Sequence, residues 1–165
     1  TLQAQETPVE KTAAAEVPTG ILGYLSYDEV LQAMPAMSVV KAKTQALREQ
    51  YEKELQRAED EFNKKYEDFL EGQRQFAPSI YKKRQAELTD LMQRNIAFKA
   101  EVQQQLKQSE EEAMAPLKQR LGAAIARVAK NLSLAFVLNT DGNALPYVDP
   151  AMGTDITKAV LEALK

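Results

Sequence analysis

Between Ala36 and Leu132 the chain carries two helical apolar stripes separated by one short break, and this restricts the fold more than any other feature. In the first stripe Leu47, Tyr51, Leu55, Ala58, Phe62, Tyr66 and Phe69 are spaced by 4, 4, 3, 4, 4 and 3, two cycles of an 11-residue repeat. Such a repeat, about 3.67 residues per turn, runs nearly straight or coils slightly right-handed, unlike a heptad seam. The other faces hold charges, among them Glu49, Glu52, Lys53, Arg57, Asp60, Lys64 and Lys65. The helix therefore has one narrow seam and a wide wet surface.

The pattern breaks at residues 71–78, where Gly72 suits a helix C-terminus with positive φ and Pro78 suits the first turn of a new helix. A second stripe then runs through Leu88, Leu91, Phe98, Val102, Leu106, Ala113, Leu117, Leu121, Ala124 and Val128. The short linker predicts an antiparallel return, seam against seam, with the tip near 72–78. Residues 36–71 reach about 50 Å as helix and residues 79–131 about 80 Å. Arms that long leave any globular base and form a projecting, flexible limb.

The flanks predict the base. Residues 1–19 mix Gln, Glu, Thr, Ala and Pro without periodicity and read as a disordered leader or tether. Ile21, Leu22, Tyr24 and Leu25 suggest a buried strand, and Ser26 with Glu29 has capping-box spacing for a short helix that Pro35 ends. Pro116 predicts a kink where the limb rejoins the base. Beyond it come a strand over 134–139, an Asp141-Gly142 hairpin turn, a strand over 144–148 with Pro146 at an edge, and a last helix capped by Thr154 or Asp155. The expected class is α+β: a long antiparallel hairpin over 36–114 on a small β-rich body formed by 20–35 and 115–165. So small a sheet leaves open edges, and pooling the strands of several copies is the simplest remedy.

The chemistry of catalysis is missing. There is no histidine to act as a base or zinc ligand and no cysteine for thiolate or disulfide chemistry. The six glycines form neither a phosphate loop nor a dinucleotide fingerprint. Asn139, Asp141, Asn143 and Asp149 lack the spacing and final glutamate of a calcium loop. No enzyme activity, cofactor or metal is expected. No apolar run is long enough to span a membrane.

The chain holds 21 basic and 24 acidic residues, which argues against a nucleic-acid partner. The balance is uneven, because residues 41–130 carry 18 Lys and Arg against 15 Asp and Glu. Residues 72–86 near the tip hold Arg74, Lys82, Lys83 and Arg84 with no acid. That run is either a solvated face or a weak attractor of acidic segments and membrane surfaces. Phe76, Ile80 and Tyr81 beside Lys82, Lys83 and Arg84 offer weak, non-directional contacts suited to unfolded chains; the alternative is that Phe76 and Ile80 close the hairpin end. Met92 and Ile96, off the main stripe, either line a cavity or widen the seam.

The stretch Leu134-Ala-Phe-Val-Leu-Asn-Thr-Asp-Gly-Asn-Ala-Leu-Pro-Tyr-Val148, followed by Gly153-Thr-Asp-Ile156 and Val160-Leu161, resembles the C-terminus of the Skp/OmpH family of periplasmic chaperones. The strand before Tyr27-Asp28-Glu29-Val30-Leu31 resembles its opening. The likeness covers Gly20 to Lys165. It implies a homotrimer with a β-rich body and three helical tentacles enclosing a cavity, which holds unfolded outer-membrane β-barrel proteins in the periplasm without ATP. The family is often strongly basic, whereas this chain has a net charge of -3. The rival expectation is a structural coiled-coil spacer or tether of the cell envelope.

Overall fold

A computed structural model describes residues 21–165, so the expected leader lies outside the described residues. The elements in order are β1 (Leu22–Leu25), α1 (Tyr27–Ala33), α2 (Pro35–Gly72), α3 (Pro78–Asn131), β2 (Phe136–Asn139), a single 3-10 turn (Asp141–Asn143), β3 (Gly153–Asp155) and α4 (Thr157–Ala163). The two stripes thus become α2 of 38 residues and α3 of 54, about 57 and 81 Å long. Their mutual contact dominates the tertiary structure. α3 continues through Pro116 as one element.

The base has its core where α3 re-enters it. Leu117, Leu121, Ala124 and Val128 form one buried face of α3, packed with Leu25, Val30, Leu31, Met34 and Met37 and with Ile156, Val160 and Leu164 around α4. The limb is packed differently. Val102 and Leu106 are buried, but from residue 41 to residue 101, around the tip, no side chain is. Each arm there has one partner only, and its stripe is half-covered. Asn95 Nδ2 donates to the Ala58 carbonyl at 3.1 Å, tying the arms across the seam at a small residue.

The sheet departs from the expected hairpin. Its order is β2-β1-β3, and β1 pairs in parallel with both neighbours. No strand forms over 144–148; the third strand is Gly153–Asp155 instead. The chain does reverse after β2 and run back over residues 144–152, but the two sides of the Asp-Gly turn do not pair, and its polar groups are engaged elsewhere. Asp141 Oδ1 accepts from Ser26 Oγ at 2.6 Å and Oδ2 from the Asp28 amide at 2.9 Å, while Asn139 Oδ1 accepts from the Tyr27 amide at 3.1 Å. Gly142 and Asn143 do take positive φ, 63° and 57°, but the turn caps α1 and leads away from β2. At the front the expected cap is present, since Ser26 Oγ accepts from the Glu29 amide at 3.1 Å. At the back Asp155 Oδ1 accepts from the Thr157 amide at 2.9 Å and serves the first turn of α4.

The tip also corrects one expectation. Gly72 does not have positive φ; the residue that follows, Gln73, is in ordinary helical conformation. Glycine is suited to the position by a close approach, because a Cβ there would lie 2.7 Å from Cζ of Phe76. The Phe76 ring rests on that gap and beside Phe69 at 6.2 Å between centroids, and Tyr81 meets Phe69 at 5.2 Å. These three rings close the hairpin end, while Ile80 is exposed.

Two outcomes follow from this packing. Phe76→Ala should lower the opening free energy of tip amides in hydrogen exchange by about 1–3 kcal/mol, and Ile80→Ser by less than about 0.5 kcal/mol; equal losses would mean that Ile80 is packed as well. The second concerns acid. The Ser26 hydroxyl, then the Asp28 amide and the Asn139 side chain, hold the Asp141 carboxyl below its ordinary value of 3.8. A depressed carboxyl stabilises the fold fully above its unfolded pKa and loses that effect as pH falls through the lower folded one. Asp141→Asn should therefore be less stable than the native chain at pH 7 in urea, with the gap shrinking as pH falls below 3.8; a gap independent of pH would contradict it.

Candidate functional site

At about 100° per residue, a helix in a two-helix limb has a seam side, two flanks and a back. On α2 the seam residues Leu55, Ala58, Phe62 and Phe69 have Glu59, Tyr66 and Leu70 on one flank and Glu54, Arg57 and Glu61 on the other. On α3 the seam residues Leu88, Asn95, Val102 and Leu106 have Met92, Ile96 and Lys99 on one flank and Glu87, Arg94 and Phe98 on the other. The antiparallel pairing matches like with like. Leu55, Ala58, Glu59, Phe62, Met92, Asn95, Ile96 and Lys99 line one groove of about 340 Å³, whereas Glu54, Arg57, Ala58, Glu61 and Phe98 line the opposite side.

The limb is therefore two-faced. One face exposes Tyr66, Leu70, Met92 and Ile96, the last with 63% of its surface open. Phe62 stacks on Tyr66 at 6.1 Å with nearly parallel rings, which extends this face toward the tip. The other face is charged, with ion pairs such as Arg57–Glu54 at 2.9 Å and Arg94–Asp90 at 2.6 Å. Exposed pairs of this kind contribute little to stability but keep that face wet.

The structure divides the expected site residues into groups. Met92 and Ile96 come together on the apolar face, lining a groove and leaving the seam to other residues. Phe76 and Tyr81 belong to the ring cluster of the tip, and Ile80 stands exposed in the first turn of α3. Lys83 and Arg84 approach Glu87 at 4.0 and 3.9 Å, which offsets part of the basic run, and Lys82 is exposed. A second, more polar hollow of about 240 Å³ lies between Lys65, Asp68, Phe69, Phe76, Arg84, Glu87 and Leu88. Sequence reasoning missed Tyr66 and Leu70 as surface residues. Tyr66 was counted in the stripe; the signal was the i, i+4 apolar pair it makes with Leu70 off the seam, repeated on the facing arm by Met92 and Ile96.

A second apolar surface lies on the sheet. Residues in register on neighbouring strands share a face, so Leu22 with Phe136 and Tyr24 with Leu138 point one way and Leu25 points to the helices. Phe136 is 49% exposed, and Leu132, Tyr147 and Met152 are exposed as well. Among the described residues no further strand lies beside β2 or β3. Among the described residues there is no helix long and apolar enough to cross a membrane.

Comparison with known proteins agrees with this geometry. The fold is similar to that of a proposed outer membrane chaperone (OmpH-like) from Caulobacter crescentus CB15, with a TM-score of 0.71 and 18% identity over 99% of this chain and 89% of that one. No curated protein matches the chain. The family model "Outer membrane protein (OmpH-like)" matches residues 22–164, from the first strand to the end of the last helix. The likeness at both ends of the sequence and the folded limb between them thus agree with that match, and the chain belongs to the OmpH-like family.

Proposed function

We propose that the protein is a chaperone of the cell envelope, an ATP-independent holdase that binds unfolded outer-membrane β-barrel proteins in the periplasm. The observation that carries this reading is the one-sided apolar face of the limb. Unfolded barrel strands present alternating apolar side chains, and a shallow face of Phe62, Tyr66, Met92 and Ile96 meets such segments without demanding one shape. Many weak contacts on adjacent limbs add through effective concentration. A limb without buried residues beyond Val102 can adjust to clients of different size. Phe76, Ile80, Tyr81, Lys82, Lys83 and Arg84 extend the contact to the tip, and the basic run there favours a weak approach to anionic membrane surfaces. This work needs no catalytic group and no cofactor.

The body, formed by 20–35 and 115–165, assembles three chains, with the limb of 36–114 projecting from it. Parallel sheets are stable almost only when both faces are covered, and here the helices cover one face while Leu22, Tyr24, Phe136 and Leu138 occupy the other. Copies of the same chain joined face to face and edge to edge would cover both. The name of the solved Caulobacter protein, an outer membrane chaperone by proposal, supports the chaperone reading.

A denatured outer-membrane barrel protein diluted into buffer should stay in solution with a few-fold excess of this protein and no nucleotide; unaltered aggregation would favour an inert spacer of the envelope. Ile96→Asp, on an open face of the limb, should weaken this suppression about tenfold without lowering the melting temperature. Sedimentation equilibrium at micromolar protein should give a trimer, and Phe136→Asp should shift it toward monomer by burying an unpaired charge. A native chain that is monomeric under these conditions would remove the trimeric body.

A further inference from the structure

The chain has five methionines and no cysteine, so its sulfur chemistry is that of the thioether alone. Met34 and Met37 lie in the core of the base, each 3% exposed, and Met114 is half-buried beside them. Met92 and Met152 are open, at 46% and 53%. Of these two only Met92 stands in the groove of the limb, among Leu55, Phe62 and Ile96.

We infer that Met92 is an oxidation site that switches the apolar face of the limb off. The oxidant is of the hypochlorous acid class. Its oxygen is transferred to Sδ as an S–O bond forms and the O–Cl bond breaks; the sulfur is oxidised by two electrons, chlorine is reduced and leaves as chloride, and the hydroxyl proton goes to water. The product is methionine sulfoxide, a polar and chiral group in place of a pliable apolar one. In the groove that it shares with Phe62 and Ile96, it draws water into a face whose contacts depend on apolar area. Reduction by an enzyme of the methionine sulfoxide reductase class restores the thioether. The functional consequence rests on the reading of this face as the surface that holds clients.

The test treats the full chain with limiting hypochlorous acid and maps oxygen addition by peptide mass spectrometry. Met92 and Met152 should be oxidised about tenfold sooner than Met34 and Met37, since access governs the rate. Aggregation suppression is then compared for each protein before and after oxidation, so that each variant serves as its own baseline. The native chain and Met152→Leu should lose suppression about threefold on oxidation, and Met92→Leu should keep what it had. Binding of an environment-sensitive fluorophore such as ANS, read on the same samples, should fall in parallel and recover after reductase treatment. Met92→Leu losing as much as the native chain, or Met92 reacting no faster than Met34, would overturn the assignment. A failure of the holdase reading has a different signature: no suppression by the unoxidised protein, with selective oxidation at Met92 and the matching loss of fluorophore binding still observed.

Discussion

Two helices packed on each other can cover only one stripe each, and the rest of this structure follows from that constraint. Along the limb the seam of Leu55, Ala58, Phe62 and Phe69 against Leu88 and Asn95 is half-open, so holding the arms together takes length in place of depth. The aromatic cluster of Phe69, Phe76 and Tyr81 stops the tip from fraying, and the bond from Asn95 to the Ala58 carbonyl sets the register midway. Toward the base Val102 and Leu106 are buried and the packing deepens. Burial therefore falls from base to tip, as the proposed function requires of a limb that adapts to its clients.

The body solves the opposite problem. Its central strand comes from the start of the described chain and its two edge strands from the end, so the limb is an excursion between β1 and β2. The halves are joined by Asp141, whose carboxylate accepts from Ser26 and Asp28, residues more than a hundred positions earlier. Arg127 adds a similar tie by donating from Nη2 to the Ala163 carbonyl at 2.8 Å, between the end of the long arm and the last helix. These links anchor both roots of the limb in one core. A soft limb on a well-tied root is the mechanical arrangement that the chaperone reading requires.

The limb also separates its chemistry by side. Ion pairs such as Arg57–Glu54 and Arg94–Asp90 lie on one face, while on the other Tyr66, Leu70, Met92 and Ile96 stand open beside Glu59 and Lys99. An apolar strip on a thin, solvated rod is costly to leave open unless something transient covers it. The shallowness that the proposed function draws on also leaves Met92 open to an oxidant, whereas the thioethers of Met34 and Met37 are shielded by the core.

Much of the fold was legible in the amino-acid order because its signals are local. The 3-and-4 spacing from Leu47 to Phe69 specifies a helix, Pro78 starts the next one, and Ser26 with Glu29 marks the cap of α1 without reference to distant residues. The Asp-Gly hairpin failed for the converse reason: its local preference was real, but Ser26 and Asp28 reached its carboxylate through the fold and diverted the turn. Gly72 was read as a backbone signal, although the reason for its small size was the Phe76 ring four residues on. The expected site residues were legible as types and not as groups. That Phe76 and Tyr81 pack together while Met92 and Ile96 share an open groove depends on the rotation of each arm about its own axis, which no spacing within one arm records. Periodicity alone thus determined two long helices and a short break, because a helix repeats its own geometry. Which flank of each helix faces its partner, which lies open, and which strand takes the centre of the sheet were decided only when the arms and the chain ends packed together.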